Sequence, residues 1–316
     1  MKKPLALLWT FAALAAMLIA GCSKVVGPEE QGDEQSAIKT YAASDDFVQN
    51  DEVTFADKDV EPADYGTFGK IDATITPLRF GRFITNVSTT VTVDIQPGDS
   101  IAIAHVAKII TGNFKIKAIN TAGDTVVIVK PFVDNANRNV IFKRVARNVD
   151  RRLNWIPVAT SLVAGATAQT STPIAVTKLE LFLANGDTIT VTDPLGYYLR
   201  YRWRPSFGGG RKDVPEVLGG QRLVLQATVL SSSADTDFVA LRFGADALQR
   251  KRQRMTLISQ VNNGNGTYTR VFQIAFFMHF HRGFFHAGVD AMTRATIYDD
   301  TAPYSVSWWG IPYRVF

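Results

Sequence analysis

One-for-one alternation of apolar and polar side chains governs the chain from Gly69 onward and limits its fold more than any other feature. Ile71, Ala73 and Ile75 alternate with Asp72, Thr74 and Thr76. Val91, Val93 and Ile95 alternate with Thr90, Thr92 and Asp94, and Phe114, Ile116 and Ala118 flank Lys115 and Lys117. Successive side chains of a strand point to opposite faces, so a period of two describes half-buried strands, and β-branched residues pack well on that pleated surface. Pro97-Gly98-Asp99, Gly123-Asp124 and Asn185-Gly186-Asp187 punctuate the pattern as turns, the last with residues that tolerate a positive φ in a tight hairpin. Ile101–Val106, Val126–Val129, Val140–Ala146, Ile174–Leu183 and Thr188–Val191 are further strand candidates, and Ala159–Pro173, rich in Ser, Thr and Ala, reads as a connection. A helix fits within Asp33–Phe55, but no long helical period occurs in the body. The fold class expected is mainly β, with a β-rich N-terminal domain that is either a sandwich or a curved sheet closed by a helix.

The first 22 residues have a different character. Lys2 and Lys3 precede an apolar run, Leu5–Ala20, interrupted only by Thr10. A positive start and an apolar core too short for a comfortable membrane span describe a signal peptide, residues 1–21. The run ends in Leu18-Ile19-Ala20-Gly21-Cys22, and Cys22 is the single cysteine of the chain. This segment resembles the lipobox of bacterial lipoproteins. The resemblance implies cleavage before Cys22, a diacylglycerol thioether on its sulfur and a third acyl chain, of the palmitate kind, on the new N-terminus. Ser23 in the next position resembles an outer-membrane sorting residue. The implied address is the cell envelope, lipid-anchored, at the outer membrane.

Removing residues 1–21 leaves 295, a length that usually exceeds one hydrophobic core. Residues 23–64 hold 12 acids against Lys24, Lys39 and Lys58, whereas residues 65–316 hold 29 Lys and Arg against 17 acids. Residues 22–64 read as an acidic tether, with Val25–Ser36 polar and without periodicity. Attraction between this segment and the basic body, with Tyr41, Phe47, Val53 and Phe55 as docking points, is an alternative to a plain solvated tether, which is preferred. Residues 65–204 form the first domain and residues 205–220, with Gly208-Gly209-Gly210, a linker. That glycine run lacks the Lys-Ser/Thr ending of a phosphate loop.

Residues 221–316 form a second domain closed by an aromatic segment. Leu223, Leu225 and Ala227 alternate, as do Val239, Leu241 and Phe243; Asn262–Gly266 is a turn, followed by Thr267-Tyr268-Thr269, and Val289-Asp290-Ala291 comes later. The Asn265-Gly266-Thr267-Tyr268-Thr269 segment and Val289-Asp290-Ala291 are similar to bacterial immunoglobulin-like modules. The resemblance implies an Ig-like β-sandwich with Tyr268 entering its core, an architectural or adhesive role, and no catalytic residue. Tyr304, Trp308, Trp309, Tyr313 and Phe316 read as a last strand packed on that sandwich, with an exposed aromatic ligand surface as the alternative.

Candidate chemistry is sparse. His279, His281 and His286 supply imidazoles at a spacing zinc could use, but they sit among Phe276, Phe277, Phe280, Phe284 and Phe285 with no nearby acid, so aromatic packing is preferred. Asp290, Asp299 and Asp300, and separately Asp134, Asn137 and Asn139, offer oxygens for calcium without the spacing of a calcium loop. Basic residues are more numerous. Arg138, Lys143, Arg144, Arg147, Arg151 and Arg152 form one run, Arg200, Arg202 and Arg204 a second, and Arg250, Lys251, Arg252 and Arg254 a third. They fit an anionic surface: membrane headgroups, lipopolysaccharide or an acidic envelope polysaccharide. Export argues against nucleic acid. No Ser, His and Asp set is recognisable, and no cofactor is expected beyond the covalent lipid on Cys22. The function expected is a noncatalytic envelope lipoprotein with a binding or structural role. The alternatives are a carbohydrate-active or metal-dependent envelope enzyme and a periplasmic assembly factor with a protein partner.

Overall fold

The computed structural model describes residues 28–44, 55–57, 61–62, 73–169, 173–200, 215–244 and 251–316. The signal segment, Cys22 and most of the 205–220 linker lie outside them. The described chain is mainly β. It begins with helix α1 (Pro28–Ser44) and strand β1 (Glu61–Pro62), followed by three long strands, β2 (Ile75–Ile95), β3 (Ile101–Asn120) and β4 (Thr125–Arg144). These three pair antiparallel along nearly their whole length. In the turn from β2 to β3, Gly98 and Asp99 both adopt positive φ, 90° and 53°, the conformation that a Gly-Asp pair tolerates best.

After a 3-10 turn, Arg151–Leu153, come β5 (Trp155–Ser161), β6 (Val163–Thr167), β7 (Ile174–Phe182), β8 (Thr188–Val191), β9 (Tyr198–Arg200) and β10 (Glu216–Val217). The remainder consists of β11 (Arg222–Ser231), β12 (Phe238–Phe243), β13 (Lys251–Arg254), β14 (Thr256–Asn262), β15 (Tyr268–Phe277), β16 (Gly283–Met292), helix α2 (Arg294–Tyr298) and β17 (Val306–Val315). Two sheets result. A 12-stranded sheet runs β1-β2-β3-β4-β6-β17-β16-β12-β13, with β5, β9 and β10 attached at its sides, and a 5-stranded sheet runs β14-β15-β11-β7-β8. Strands from residues 65–204 and from residues 221–316 therefore share both sheets, meeting where β6 pairs with β17 and where β7 pairs with β11.

The large sheet curls until its two ends meet through side chains: Arg252 of β13 donates from Nη2 to the Phe80 carbonyl of β2 at 3.0 Å. Three apolar cores follow from this shape. Phe80, Phe114, Phe132, Phe238, Val306 and Trp308 fill the lumen of the curl. Leu179, Leu225, Leu241, Phe272, Val289 and Trp309 lie between the two sheets. At the far end of the long strands, Ile38 and Ala42 of α1 cover Ala102, Ala104, Val140, Phe142 and Trp155.

β12 and β17 belong to two cores at once. In β17, Val306 and Trp308 face the lumen while Trp309 and Tyr313 face the second sheet. The C-terminal aromatics are thus packed, apart from the half-exposed Phe316. The Ala159–Pro173 stretch, expected as a connection, contains the end of β5 and all of β6. Its small residues are needed because Trp308 lies on Gly165, where an added Cβ would stand 2.0 Å from the indole.

The solvated tether expected over residues 25–36 is corrected for residues 28–36. Residues 28–44 are helical, and Glu34, Ala37, Ile38 and Ala42 are buried. The hairpin turn before Tyr268 is present, but Tyr268 is only half-buried at the end of β15. The fully buried side chain there is Arg270, whose guanidinium lies 5.0 Å from the Tyr268 ring and pairs with Asp237.

Candidate functional site

Two buried polar clusters among the described residues join the acidic N-terminal segment to the basic body. In the lumen, Asp57 receives Arg242 Nη1 at 2.6 Å, Arg252 Nη1 at 3.4 Å and the Arg82 backbone N–H at 2.7 Å. Asp290 receives Arg242 Nε at 3.0 Å and Arg82 Nη2 at 3.5 Å. Burial works against the charge of Asp57, but Arg242 and Arg252 outweigh it and hold the carboxyl below its ordinary range. Phe55, two residues before Asp57, stacks on Trp308 at 4.2 Å. Arg82 lies between the Phe55 and Tyr304 rings at 5.7 and 5.6 Å. Asp134 faces the same lumen and accepts from the Tyr304 hydroxyl at 3.4 Å; burial pushes its carboxyl up to about 6.

At the other place, Glu34 of α1 accepts from the Trp155 indole N–H and from Asn154 Nδ2, and pairs with Arg151 at 3.4 Å and Arg144 at 3.7 Å. Arg144 also covers the Trp155 ring at 4.8 Å. A charge buried without its counter-ion is costly, so both clusters depend on the N-terminal segment remaining docked. The alternative set aside in favour of a plain tether, attraction between segment and body, is the arrangement found for residues 28–44 and 55–57.

The basic runs do not form one face among the described residues. Arg138, Arg144 and Arg252 turn inward, whereas Lys143, Arg147 and Arg200 are exposed and Arg151 is half-exposed. Arg202, Arg204 and Arg250, together with the side chains of Arg152 and Lys251, lie outside the described residues, as does the lipidation site Cys22. The histidines and the calcium candidates are also dispersed. His279 and His281 stand in the connection after β15, not on a strand face, with ring centroids 6.1 Å apart. His279 Nε2 meets the Tyr313 hydroxyl at 2.8 Å, and burial, then His281, lowers the His279 pKa.

Asp290 is engaged by arginines, Asp299 by Thr301 and the Ala302 N–H, and Asp300 by Thr74. The hydrogen bonds to Asp299, that from Thr301 first, keep its carboxyl low. Asn139 Oδ1 accepts from His105 Nδ1 at 2.8 Å, and Asn139 Nδ2 donates to the Leu195 carbonyl. No group of three or more His, Cys, Asp or Glu among the described residues is placed to hold a metal.

The remaining site was not among the sequence candidates, because every residue in it is an ordinary core residue. Between the two sheets, the second core leaves a partly open cleft with an enclosed volume of about 60 Å³. Leu179, Leu181 and Val191 line it from β7 and β8, Leu225 and Phe276 from β11 and β15, and Leu241, Ala287 and Tyr313 from the curled sheet. No polar atom contributes to its surface. Tyr197 and Tyr313 carry the hydroxyls nearest to it; the Tyr313 hydroxyl is engaged by His279, and burial raises the Tyr197 phenol. A wall of this kind can hold hydrocarbon, and it offers no proton donor, nucleophile or metal ligand for chemistry.

Comparison with protein-family models, with curated proteins and with solved structures returns no match for this chain.

Proposed function

We propose that the protein is a noncatalytic envelope lipoprotein, anchored through Cys22, that takes one apolar chain into the cleft between its two sheets. The observation that carries this reading is the cleft wall, which is wholly apolar and yet only partly closed among the described residues. Ligand sites are concave and mostly apolar, with few polar groups to orient the ligand. Here those groups are lacking within the cleft, so the polar end of the ligand remains outside. The enclosed 60 Å³ is smaller than the roughly 150 Å³ that admits a benzene ring, so the cleft takes the end of an apolar chain and not the whole of it. Each methylene that enters contributes about 0.8 kcal/mol. The acids that a hydrolase would call on, Asp57, Asp134 and Asp290, belong to the closed lumen and face arginines there.

A titration of the full chain with cis-parinaric acid, a fatty acid that fluoresces in apolar surroundings, tests the proposal. The protein should saturate with a rise in fluorescence, and Ala287→Phe, which fills the cleft from β16, should abolish the rise while the far-ultraviolet circular dichroism is unchanged. Absence of binding, or equal binding by Ala287→Phe, would overturn the reading.

A further inference from the structure

We infer that the tip formed by residues 145–153 beds into the anionic leaflet that carries the Cys22 lipid, an inference that rests on the anchoring proposed above. Val145, Val149 and Leu153 enter the interface, and Arg147 meets lipid phosphates.

Chain length and position carry the first part of the argument. Five residues separate Cys22 from Pro28, where α1 begins, and an extended chain spans at most about 3.5 Å per residue, so the anchor lies within roughly 20 Å of the helix start. Glu34, less than two turns into α1, holds Arg151, Asn154 and Trp155. The tip is therefore the part of the body tied to the membrane end of the helix. The opposite hairpin, between β3 and β4, is about 20 residues of strand away, on the order of 65 Å.

Surface chemistry carries the second part. Val149 is 100% exposed, Leu153 62% and Val145 50%. Among them Arg147 is exposed. Apolar side chains interspersed with bases are suited to an anionic membrane surface, where each basic residue adds about 1 kcal/mol. The tip is also set in shape before it meets lipid. Val145 N–H donates to the Asn154 carbonyl at 2.8 Å, Leu153 N–H to the Asp150 carbonyl at 3.1 Å, and Asn148 N–H to Asn154 Oδ1.

The test uses the full chain, produced in a bacterial envelope and reconstituted into vesicles of phosphatidylethanolamine with phosphatidylglycerol. A nitroxide is placed at Val149→Cys, and in a second protein at Val261→Cys, an exposed position on β14. Intact mass reports the lipid on Cys22 separately. With the lipid present, the label at 149 should show several-fold greater exposure to oxygen relative to a nickel chelate than the label at 261. Adding Arg147→Glu, or substituting phosphatidylcholine, should return it toward the aqueous ratio.

Lipid on Cys22 with an aqueous label at 149 would overturn the tip and leave the anchor standing. A free Cys22 thiol would overturn the anchor, and the tip with it. Equal depth in phosphatidylcholine would overturn the role given to Arg147.

Discussion

Arg242 Nη1 donates to Asp57 Oδ1 at 2.6 Å inside the curled sheet, joining β12 to the acidic N-terminal segment across 185 positions of sequence. Both side chains are almost completely buried. The contact makes the segment part of the folded body: without Asp57, Arg242, Arg252 and Arg82 would face Asp290 and Asp134 with one counter-charge fewer. Breaking a buried ion pair by removing one partner costs about 3–5 kcal/mol. Asp57→Ala should lose about that much in urea unfolding of the full chain. Replacing the pair together, Asp57→Leu with Arg242→Met, should recover part of the loss.

Docking of the same segment can be tested without touching a charge. An added Cβ on Gly288 of β16 would stand 2.2 Å from the Phe55 ring. Overpacking of this kind costs about 1–3 kcal/mol. Gly288→Ala should therefore lower stability by that amount and speed proteolytic cleavage near residue 55, read by mass spectrometry. Phe55→Ala combined with Gly288→Ala should be less destabilising than the sum of the two single changes.

Asp134 sets a pH dependence. Its folded-state pKa of about 6 lies above the ordinary 3.8 because burial disfavours the charge. The folded protein thus binds this proton more tightly than the unfolded chain. The resulting stabilisation is complete below about pH 4 and is lost as pH rises through 6. Asp134→Asn, which has no proton to lose, should gain on the order of 2–3 kcal/mol relative to the parent between pH 4 and 7. Chemical denaturation at a series of pH values measures the difference.

Much of the strand content was legible in local pattern, and the turns at Gly98-Asp99, Asn185–Asp187 and Asn262–Gly266 fall between strands as expected. The length of β3 was not legible. Ile101–Val106 and the Phe114–Ala118 alternation stood as separate strand candidates, yet one strand runs through Gly112, where the Phe83 carbonyl and the Phe132 ring occupy the space of the missing side chain. β17 lost its alternation for a different reason, burial on both faces. The basic runs misled because exposure is a tertiary property. Arg144 meets Glu34 and Arg252 meets Asp57, acids more than a hundred positions away that no local pattern links to them. The cleft gave no signal at all, since alternating Leu, Ile and Val read the same whether the space between sheets is filled or not.

Lys130 closes the last turn of α2 from outside the helix. Its ammonium donates to the carbonyls of Ala295, Thr296 and Asp299 at 3.4, 2.9 and 2.5 Å. A cation at a helix C-terminus both satisfies orphan carbonyls and opposes the dipole. Lys130→Met keeps the apolar stem and removes the donors, and it should cost about 2–3 kcal/mol in equilibrium unfolding. Backbone amide exchange should increase first at Asp299, whose N–H bonds to Ala295.

The account stands or falls on the cleft between the sheets. Crystals of the protein grown with a fatty acid brominated at its terminal carbon would locate the tail directly by anomalous scattering. The account predicts one bromine peak among Leu225, Leu241 and Ala287, absent from Ala287→Phe crystals. A peak in the lumen beside Asp57, or none in the cleft at saturating fatty acid, would contradict it.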